Sequence, residues 1–252
     1  MTEWIQILLP FFLIASRVMA FFSVLPLFAW TMLPRRVRLS ISLLVTIFFA
    51  SLLPRAQLSP ADYTWLGAAL LVGREVLCGL ALGMMARLVF MAVQQGAMIG
   101  TQQMGFADAG IFDPSTGEGT RPIALLFQMV FAVLFLSING HHLLLMTVYR
   151  SYDAFPAGQP AEVALLTQGV IEAGATMLLF ALKLAAPLLA GFLLLAVIMG
   201  VIARVMPEMN ILMASMPLRV VVGMGLSLLV LGTLNSFVVR LTDWLDQFFI
   251  LA

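Results

Sequence analysis

Residues 163–205 read VALLTQGVIEAGATMLLFALKLAAPLLAGFLLLAVIMGVIARV, and this apolar run of 43 residues decides the fold class. A membrane-spanning helix needs only about 20 predominantly apolar residues. As a single α-helix, the run is roughly 64 Å long, about twice the hydrocarbon core of a bilayer. We therefore predict that it bends, breaks or extends well outside the lipid, and we expect Pro187 to interrupt it.

Five further apolar blocks lie along the chain, at residues 4–33, 37–53, 65–100, 123–148 and 218–239. The block at 65–100 is also too long for one span. We predict an all-α membrane protein with about six long, partly broken apolar helices arranged as helical hairpins. Because the sequence contains no internal repeat or soluble domain, we expect residues 1–252 to form a single membrane-embedded domain. Its longest polar stretch is residues 101–121.

The composition excludes several classes of protein. Of 252 residues, 62% are hydrophobic and 10% are charged, whereas roughly a quarter of a soluble domain is charged. The 13 Lys and Arg residues nearly balance the 12 Asp and Glu residues, giving a net charge of +1. Neither a nucleic-acid-binding surface nor a disordered chain fits these figures. We expect membrane lipid as a partner and no nucleic acid.

The sequence offers little for catalysis or metal binding. Cys78 is the one cysteine and lies in an apolar run, which excludes a disulfide or a cysteine metal site. His141 and His142 are adjacent, so they point different ways on a helix, and no acidic residue stands at ligand spacing. The usual hydrolase and phosphate-binding motifs are missing. We expect a non-enzymatic protein without catalytic, metal-binding or cofactor-binding residues.

Six charged residues lie inside the apolar blocks, namely Arg17, Arg74, Glu75, Arg87, Glu172 and Lys183. A charge at the centre of a membrane helix costs about 2.5 to 3.5 kcal/mol on insertion scales. We therefore predict that each one faces protein or water and finds its partner on another helix or another chain. We interpret them as buried charges that fix helix register in an assembly. The alternative is a proton relay or ion path, although no helix carries a ladder of acidic residues.

Glu75, Gly79, Gly83 and Arg87 recur at a spacing of four and therefore share one helical stripe. The stripe is charged at its ends and has no side chain between them. We predict that another backbone approaches closely at these glycines.

Residues 101–121 read TQQMGFADAGIFDPSTGEGTR and alternate glycines with apolar residues. This pattern is typical of a compact loop that packs its own side chains. Between two long apolar helices, such a segment is either an ordinary connector or a loop folded back into a cavity. The residues alone leave both possibilities open.

Four stretches, taken in order, resemble the flagellar biosynthetic protein FliR family, whose relatives serve virulence type III secretion. In the fourth stretch, Arg204, Pro207, Asn210 and Pro217 stand in the family's order and form a family-motif turn. The Gly-His-His at residues 140–142 also fits. The four stretches are PLFAWTMLPRRVRLSISLLVT from Pro26, GREVLCGLALGMMARLVF from Gly73, GTQQMGFADAGIFDPSTG from Gly100 and APLLAGFLLLAVIMGVIARVMPEMNILMASMPLRVVVG from Ala186.

The resemblance implies a non-enzymatic core subunit of the flagellar type III protein-export channel, located in the bacterial inner membrane at the flagellar basal body. Relatives assemble with the P-type and Q-type export-apparatus membrane subunits into a hetero-oligomeric spiral, which a B-type switch subunit contacts. Such a subunit helps form the pore and gate the passage of unfolded export substrates. The long blocks and their charges are then expected to meet other subunits.

In relatives, the loop with the QMGF and DP signatures plugs the closed channel. The resemblance therefore implies a pore plug at residues 101–121. The signatures correspond to Gln103, Met104, Gly105, Phe106, Asp113 and Pro114, and the neighbouring apolar residues Ile111 and Phe112 complete the candidate plug.

Two other hypotheses remain. The chain is alternatively a polytopic ion or small-solute transporter that uses Arg17, Glu75, Glu172 and Lys183 as its site. Transporters usually contain paired discontinuous helices in corresponding halves, and the sequence lacks that symmetry. The third hypothesis is a scaffold whose pore belongs to its partners. It differs from an export channel only in whether residues 101–121 line the lumen.

Overall fold

A computed structural model describes residues 2–25, 34–53, 64–104, 122–159, 163–206 and 211–251. Within these ranges the chain is helical, and no strand is present. The helices are α1 (Thr2–Val24), α2 (Arg35–Leu52), α3 (Trp65–Gln102), α4 (Pro122–Ser137), α5 (Gly140–Ala154), α6 (Val163–Val205) and α7 (Ile211–Leu251).

Three of these helices are long and apolar enough to cross a membrane, at Trp65–Gln102, Ala164–Val205 and Ser215–Leu241. A fourth span is possible if α4 and α5 together make one broken span. The prediction of an all-α membrane protein with partly broken apolar helices is confirmed.

The fourth apolar block is the broken one, and the break separates α4 from α5. Asn139 lies between them in the left-handed region, with φ at 61°. Asn tolerates this conformation better than other residues with a side chain because its short polar group bonds locally. This break divides the fourth block into two helices, so the chain has seven described helices where about six were predicted.

The prediction that Pro187 interrupts residues 163–205 is wrong, because α6 is continuous through it. Proline removes one backbone donor, yet apolar membrane helices tolerate that loss when neighbouring turns continue. Pro10 in α1 and Pro217 in α7 likewise lie inside helices. An unbroken α6 of 43 residues is about twice as long as the hydrocarbon core of a bilayer is thick.

By its internal contacts the chain divides into two compact units. The first unit comprises Met1–Val89, Asn139–Gly174 and Thr242–Ala252, and the second comprises Phe90–Ile138 and Ala175–Leu241. The single membrane-embedded domain expected from the sequence stays a prediction.

In the first unit, α1 packs closely against α3 at the glycine stripe. A Cβ added at Gly79 would collide with the carbonyl oxygen of Arg17 and lie 2.9 Å from the Cβ of Ala20. At Gly83, an added Cβ would lie 2.8 Å from the carbonyl oxygen of Phe21. The predicted approach of another backbone is confirmed, and the approaching helix belongs to the same chain.

In the second unit, aromatic rings and glycines join the helices. The ring of Phe90 on α3 lies 5.2 Å from that of Phe131 and 5.0 Å from that of Phe135, both on α4. On α3, an added Cβ at Gly96 would lie 2.7 Å from the carbonyl oxygen of Ala181 on α6. Gly100, one turn on, receives the side chain of Leu188. Glycines therefore permit close helix packing both in the middle of α3 and near its C-terminal end.

We predict that Gly79→Ala destabilises the protein by about 1 to 3 kcal/mol, because its methyl group meets backbone that cannot move aside. The matched control is Gly73→Ala on the same helix, where nothing lies within 4 Å. Gly73→Ala should leave the free energy of unfolding unchanged, or raise it by about 0.5 to 1 kcal/mol because alanine has the higher helix propensity. The free energy of unfolding in mild detergent measures both. Equal effects of the two substitutions would contradict the close packing of α1 on α3.

Candidate functional site

Among the described residues, Arg17 is one of the largest fully buried side chains, at 1% exposure in α1. Its Nε donates a 2.6 Å hydrogen bond to Oε2 of Glu75 on α3, and Glu75 is itself buried. The pair carries no net charge, so it avoids the large cost of burying an isolated ion. Two of the six charges singled out in the sequence thus meet inside the chain.

Both terminal nitrogens of Arg17 also donate hydrogen bonds. Nη1 donates to the carbonyl oxygen of Ser151 at 3.2 Å and to its hydroxyl at 3.3 Å, and Nη2 donates to the carbonyl oxygen of Phe155 at 2.9 Å. The guanidinium also lies over the ring of Tyr152, 4.1 Å from its centroid. Such cation–π contacts strengthen when the cation is desolvated. Arg17 therefore binds both α5 and the turn that follows it.

Glu75 and Tyr152 complete the network. Oε1 of Glu75 accepts the backbone N–H of Gly158 at 3.1 Å. Gly158 has a φ of 85°, a left-handed conformation that glycine adopts without strain. The Tyr152 hydroxyl donates to the carbonyl oxygen of Ile14 at 3.3 Å. With every partner engaged, the network holds α1, α3 and α5 in one register.

Sequence reasoning missed five members of this network: Ile14, Ser151, Tyr152, Phe155 and Gly158. Ile14, Phe155 and Gly158 contribute only backbone groups, which leave no signature in the side-chain sequence. Tyr152 gives only a weak indication of the network in the sequence. A buried tyrosine usually has a hydrogen-bond partner, but its sequence position does not identify that partner.

The other four embedded charges, Arg74, Arg87, Glu172 and Lys183, lie at the surface of this chain. The ammonium of Lys183 lies over the ring of Phe180, 5.3 Å from its centroid. The structure brings none of these four to the Arg17–Glu75 pair. Their role in assembly stays a prediction.

Of the candidate plug residues, the structure describes Gln103 and Met104, and the other six, Gly105, Phe106, Ile111, Phe112, Asp113 and Pro114, lie outside the described residues. Gln103 is exposed, whereas Met104 is 1% exposed. Met104 packs against Phe192 and Leu195 of α6. It also fills the space above Gly223 of α7, where an added Cβ would lie 2.6 Å from its Cγ. We call these contacts of Met104 with Phe192, Leu195 and Gly223 the Met104 seat. They hold the chain in place immediately before residues 105–121.

The family-motif turn is described only in part. Arg204 is exposed in the last turn of α6, and Pro217 is exposed inside α7. Pro207 and Asn210 lie outside the described residues.

Within the described part of the chain, no group of three His, Cys, Asp or Glu residues is placed to hold a metal ion. The first unit contains an apolar crevice of about 740 Å³ between α1, α2 and α3. The hydroxyls of Ser16 and Thr46, which line it, bond to their own helix backbone. Such a lining offers apolar contact and few polar groups to orient a hydrophilic solute.

We predict that Arg17→Met destabilises the protein by about 3 to 5 kcal/mol, because it leaves the Glu75 carboxylate buried without a counter-ion. The double variant Arg17→Met/Glu75→Met should recover part of that loss. The matched control is Arg87→Met, which removes an exposed charge from α3, the helix that carries Glu75. It should change the free energy of unfolding by less than about 0.5 kcal/mol. Unfolding in mild detergent measures all three. A loss in Arg17→Met no larger than in Arg87→Met would contradict the network's structural role.

Comparison with known proteins relates the chain to bacterial exporters. Residues 8–244 match the model of the family described as bacterial export proteins, family 1. The chain is 31% identical to the flagellar biosynthetic protein FliR of Bacillus subtilis, over 88% of this chain and 86% of that protein. It is 28% identical to the FliR of Escherichia coli, over 89% and 85% of the two chains.

A relative with a different name is the Yop proteins translocation protein T of Yersinia pestis. It is 30% identical to this chain over 60% of this chain and 58% of its own length. The residues matched by the family model include Arg17, Glu75, Met104 and Gly223. The resemblance drawn from the four sequence stretches is therefore confirmed: the chain belongs to the bacterial export proteins, family 1, together with the flagellar FliR proteins.

Proposed function

We propose that this chain is a non-enzymatic core subunit of the flagellar type III protein-export channel. It resides in the bacterial inner membrane at the flagellar basal body. The observation that carries the proposal is the family match over residues 8–244, joined by FliR relatives at 28% and 31% identity along most of their length. The apolar, all-helical chain supports the membrane location.

The proposed partners are the P-type and Q-type membrane subunits, the B-type switch subunit and the unfolded substrates in transit. Exposed charges and exposed apolar faces support an assembly with other chains. Arg74, Arg87 and Glu172 are exposed along otherwise apolar helices, where contact with lipid alone is costly for a charge. A hetero-oligomeric spiral provides counter-charges for these three residues, which form no ion pair with another described residue.

Within that channel, residues 101–121 act as the plug that obstructs the closed pore and moves for a substrate to pass. Support comes from the Met104 seat, which anchors one end of the segment between α6 and α7. A plug needs at least one end held in place by the protein, because a loop that is free at both ends has no defined closed position. Methionine suits a reversible contact, since its side chain is flexible and polarizable.

The transporter hypothesis requires a site with free polar groups. Arg17 and Glu75, two of its four residues, are sealed from solvent and engaged with protein partners. A solute would have to displace those partners to bind. This geometry favours the export subunit over the transporter.

The proposal predicts that the chain, purified from native membranes in mild detergent, brings other membrane subunits with it in fixed ratio. An unrelated tagged helical membrane protein, purified in parallel, is the control. Mass spectrometry of the purified complex is the measurement. A stable, solute-binding homo-oligomer would favour the transporter and overturn the proposal.

The plug predicts an ion leak when the segment is replaced. Exchanging residues 105–121 for a Gly-Ser linker of equal length should let small ions cross a membrane that contains the assembled complex. Gly223→Ala should cause a smaller leak, because its methyl group displaces Met104 from its seat at a cost of about 1 kcal/mol. Gly225→Ala is the matched control, since nothing lies within 4 Å of that glycine. Ion flux in cells and in reconstituted vesicles is the measurement.

A tight membrane with normal export after the exchange would contradict the plug. Cross-linking then separates a channel from a scaffold whose pore belongs to its partners. With Cys78 replaced by Ser, the single cysteine of Phe106→Cys should cross-link to a stalled export substrate. Failure of that cross-link, in a complex that still exports, would favour the scaffold.

A further inference from the structure

In the first unit, the exposed side of α3 follows a heptad spacing. Exposed residues recur along it at alternating intervals of four and three positions, from residue 66 to residue 87. The other exposed residues in α3 as far as residue 87 are Trp65, Ala69 and Arg74, each of which adjoins one of them. We call the recurring set the α3 seam, and it comprises Leu66, Leu70, Gly73, Leu77, Leu80, Met84 and Arg87.

The geometry of the seam fits one helix. Apolar residues at alternating intervals of three and four are what a helix presents to a partner helix in left-handed packing. From Leu77 to Arg87 the exposed strip is one residue wide, because the residues on both flanks are buried or half-buried in the chain. At Gly73, an added Cβ would meet nothing within 4 Å. A second backbone can therefore approach closely there.

Arg74 argues against lipid as the cover of the seam. The apolar part of the seam runs from residue 66 to residue 84 and rises about 27 Å, close to the thickness of the hydrocarbon core. Arg74 is exposed near its middle, about 12 Å from the nearer end. An arginine side chain is shorter than that distance, so it cannot snorkel to the polar boundary. Lipid over the whole seam would therefore surround an unpaired charge.

Moving the bilayer along α3 does not remove this conflict. The stretches of α3 without an exposed charge are residues 65–73, 75–86 and 88–102, which contain 9, 12 and 15 residues. All three are shorter than the roughly 20 residues that cross the hydrocarbon core. A core placed over residues 88–102 would leave the seam outside the lipid altogether. At every depth, protein is the cover that suits both the apolar residues and Arg74.

The two arginines indicate what that protein must contain. Neither Arg74 nor Arg87 forms an ion pair with another described residue. Arg87 occupies a seam position, and Arg74 follows Gly73 at a flanking position, where paired helices commonly place charges that meet an opposite charge on the partner. A guanidinium covered by an apolar helix is costly unless a carboxylate pairs with it. The partner helix is therefore expected to be apolar, with acidic residues level with these arginines.

We propose that the α3 seam binds one apolar helix of a neighbouring membrane subunit and that carboxylates on that helix pair with Arg74 and Arg87. The presence of such a subunit rests on the proposed function. The seam adds which face of α3 the subunit occupies and which charge its helix carries there.

The first test is photo-cross-linking in native membranes. A benzophenone amino acid placed singly at Leu70, Leu77 or Met84 of the full-length chain should form an adduct with the same protein subunit from all three positions. The control position is Val76, which is half-buried one residue before Leu77 and should give no adduct with that subunit. Mass spectrometry identifies each adduct as protein or lipid.

Two results of this test have different meanings. Lipid adducts at the three positions, or none, in a complex whose subunits co-purify would overturn the seam and leave the proposed function standing. If no other membrane subunit co-purifies with the chain, both the seam and the proposed function are overturned.

The second test is retention of the subunit during purification in mild detergent. Arg74→Glu should reduce the amount of retained subunit about tenfold or more relative to Arg74→Lys, because it places like charges together. Gly73→Leu should also reduce retention, since its side chain fills the space that the partner backbone approaches. Both variants should keep the chain's own unfolding transition, because residues 73 and 74 are exposed. Changing an acidic residue of the partner helix to lysine should restore retention of Arg74→Glu.

Equal retention in Arg74→Glu and Arg74→Lys would overturn the charge pairing. Retention in Gly73→Leu equal to that of the unaltered chain would overturn the close approach of a helix at the seam. A loss of retention in Arg74→Glu that no acidic-to-basic change in the partner restores would also count against the pairing.

Discussion

The hydrogen bonds of the buried Arg17 guanidinium determine how the helices of the first unit are positioned. A cation at 1% exposure is costly unless its nitrogens donate to acceptors within the protein. Here the acceptors come from Glu75 on α3 and from Ser151 and Phe155 at the C-terminal end of α5. Because hydrogen bonds weaken steeply with distance and angle, those pieces have little freedom to shift. One charge therefore imposes the positions of several helices.

The glycine stripe and the ion pair depend on each other. Gly79 lies one turn after Glu75 on α3, and its bare backbone faces the carbonyl oxygen of Arg17. A side chain at Gly79 would hold α1 away from α3 and lengthen the bond between Arg17 and Glu75. Conversely, without that ion pair the close approach of α1 would rest on dispersion forces alone. In a chain with so little polar surface, this coupling gives the helix pair a defined register.

Much of the fold was predictable from the sequence, and the reason is physical. Apolar length, scarce charge and glycine spacing are local properties, so the all-α membrane class and the close approach at Gly79 and Gly83 followed from them. The Arg17–Glu75 pair was not predictable, because its members are 58 residues apart and six embedded charges allowed many pairings. The break expected at Pro187 was wrong, since one missing donor does not end a helix whose neighbouring turns persist. The backbone groups of Phe155 and Gly158 leave no mark in the sequence at all.

The Met104 seat differs in kind from the Arg17 network. Its contacts with Phe192, Leu195 and Gly223 are dispersive, so they have no preferred angle and no donor to leave unsatisfied. A displacement of Met104 weakens them gradually, and the side chain regains them on return without searching for a hydrogen-bond partner. The Arg17 network fails abruptly, because each lost bond exposes a buried polar group. The same chain thus contains one set of contacts that tolerates small displacements, around Met104, and one that does not, around Arg17.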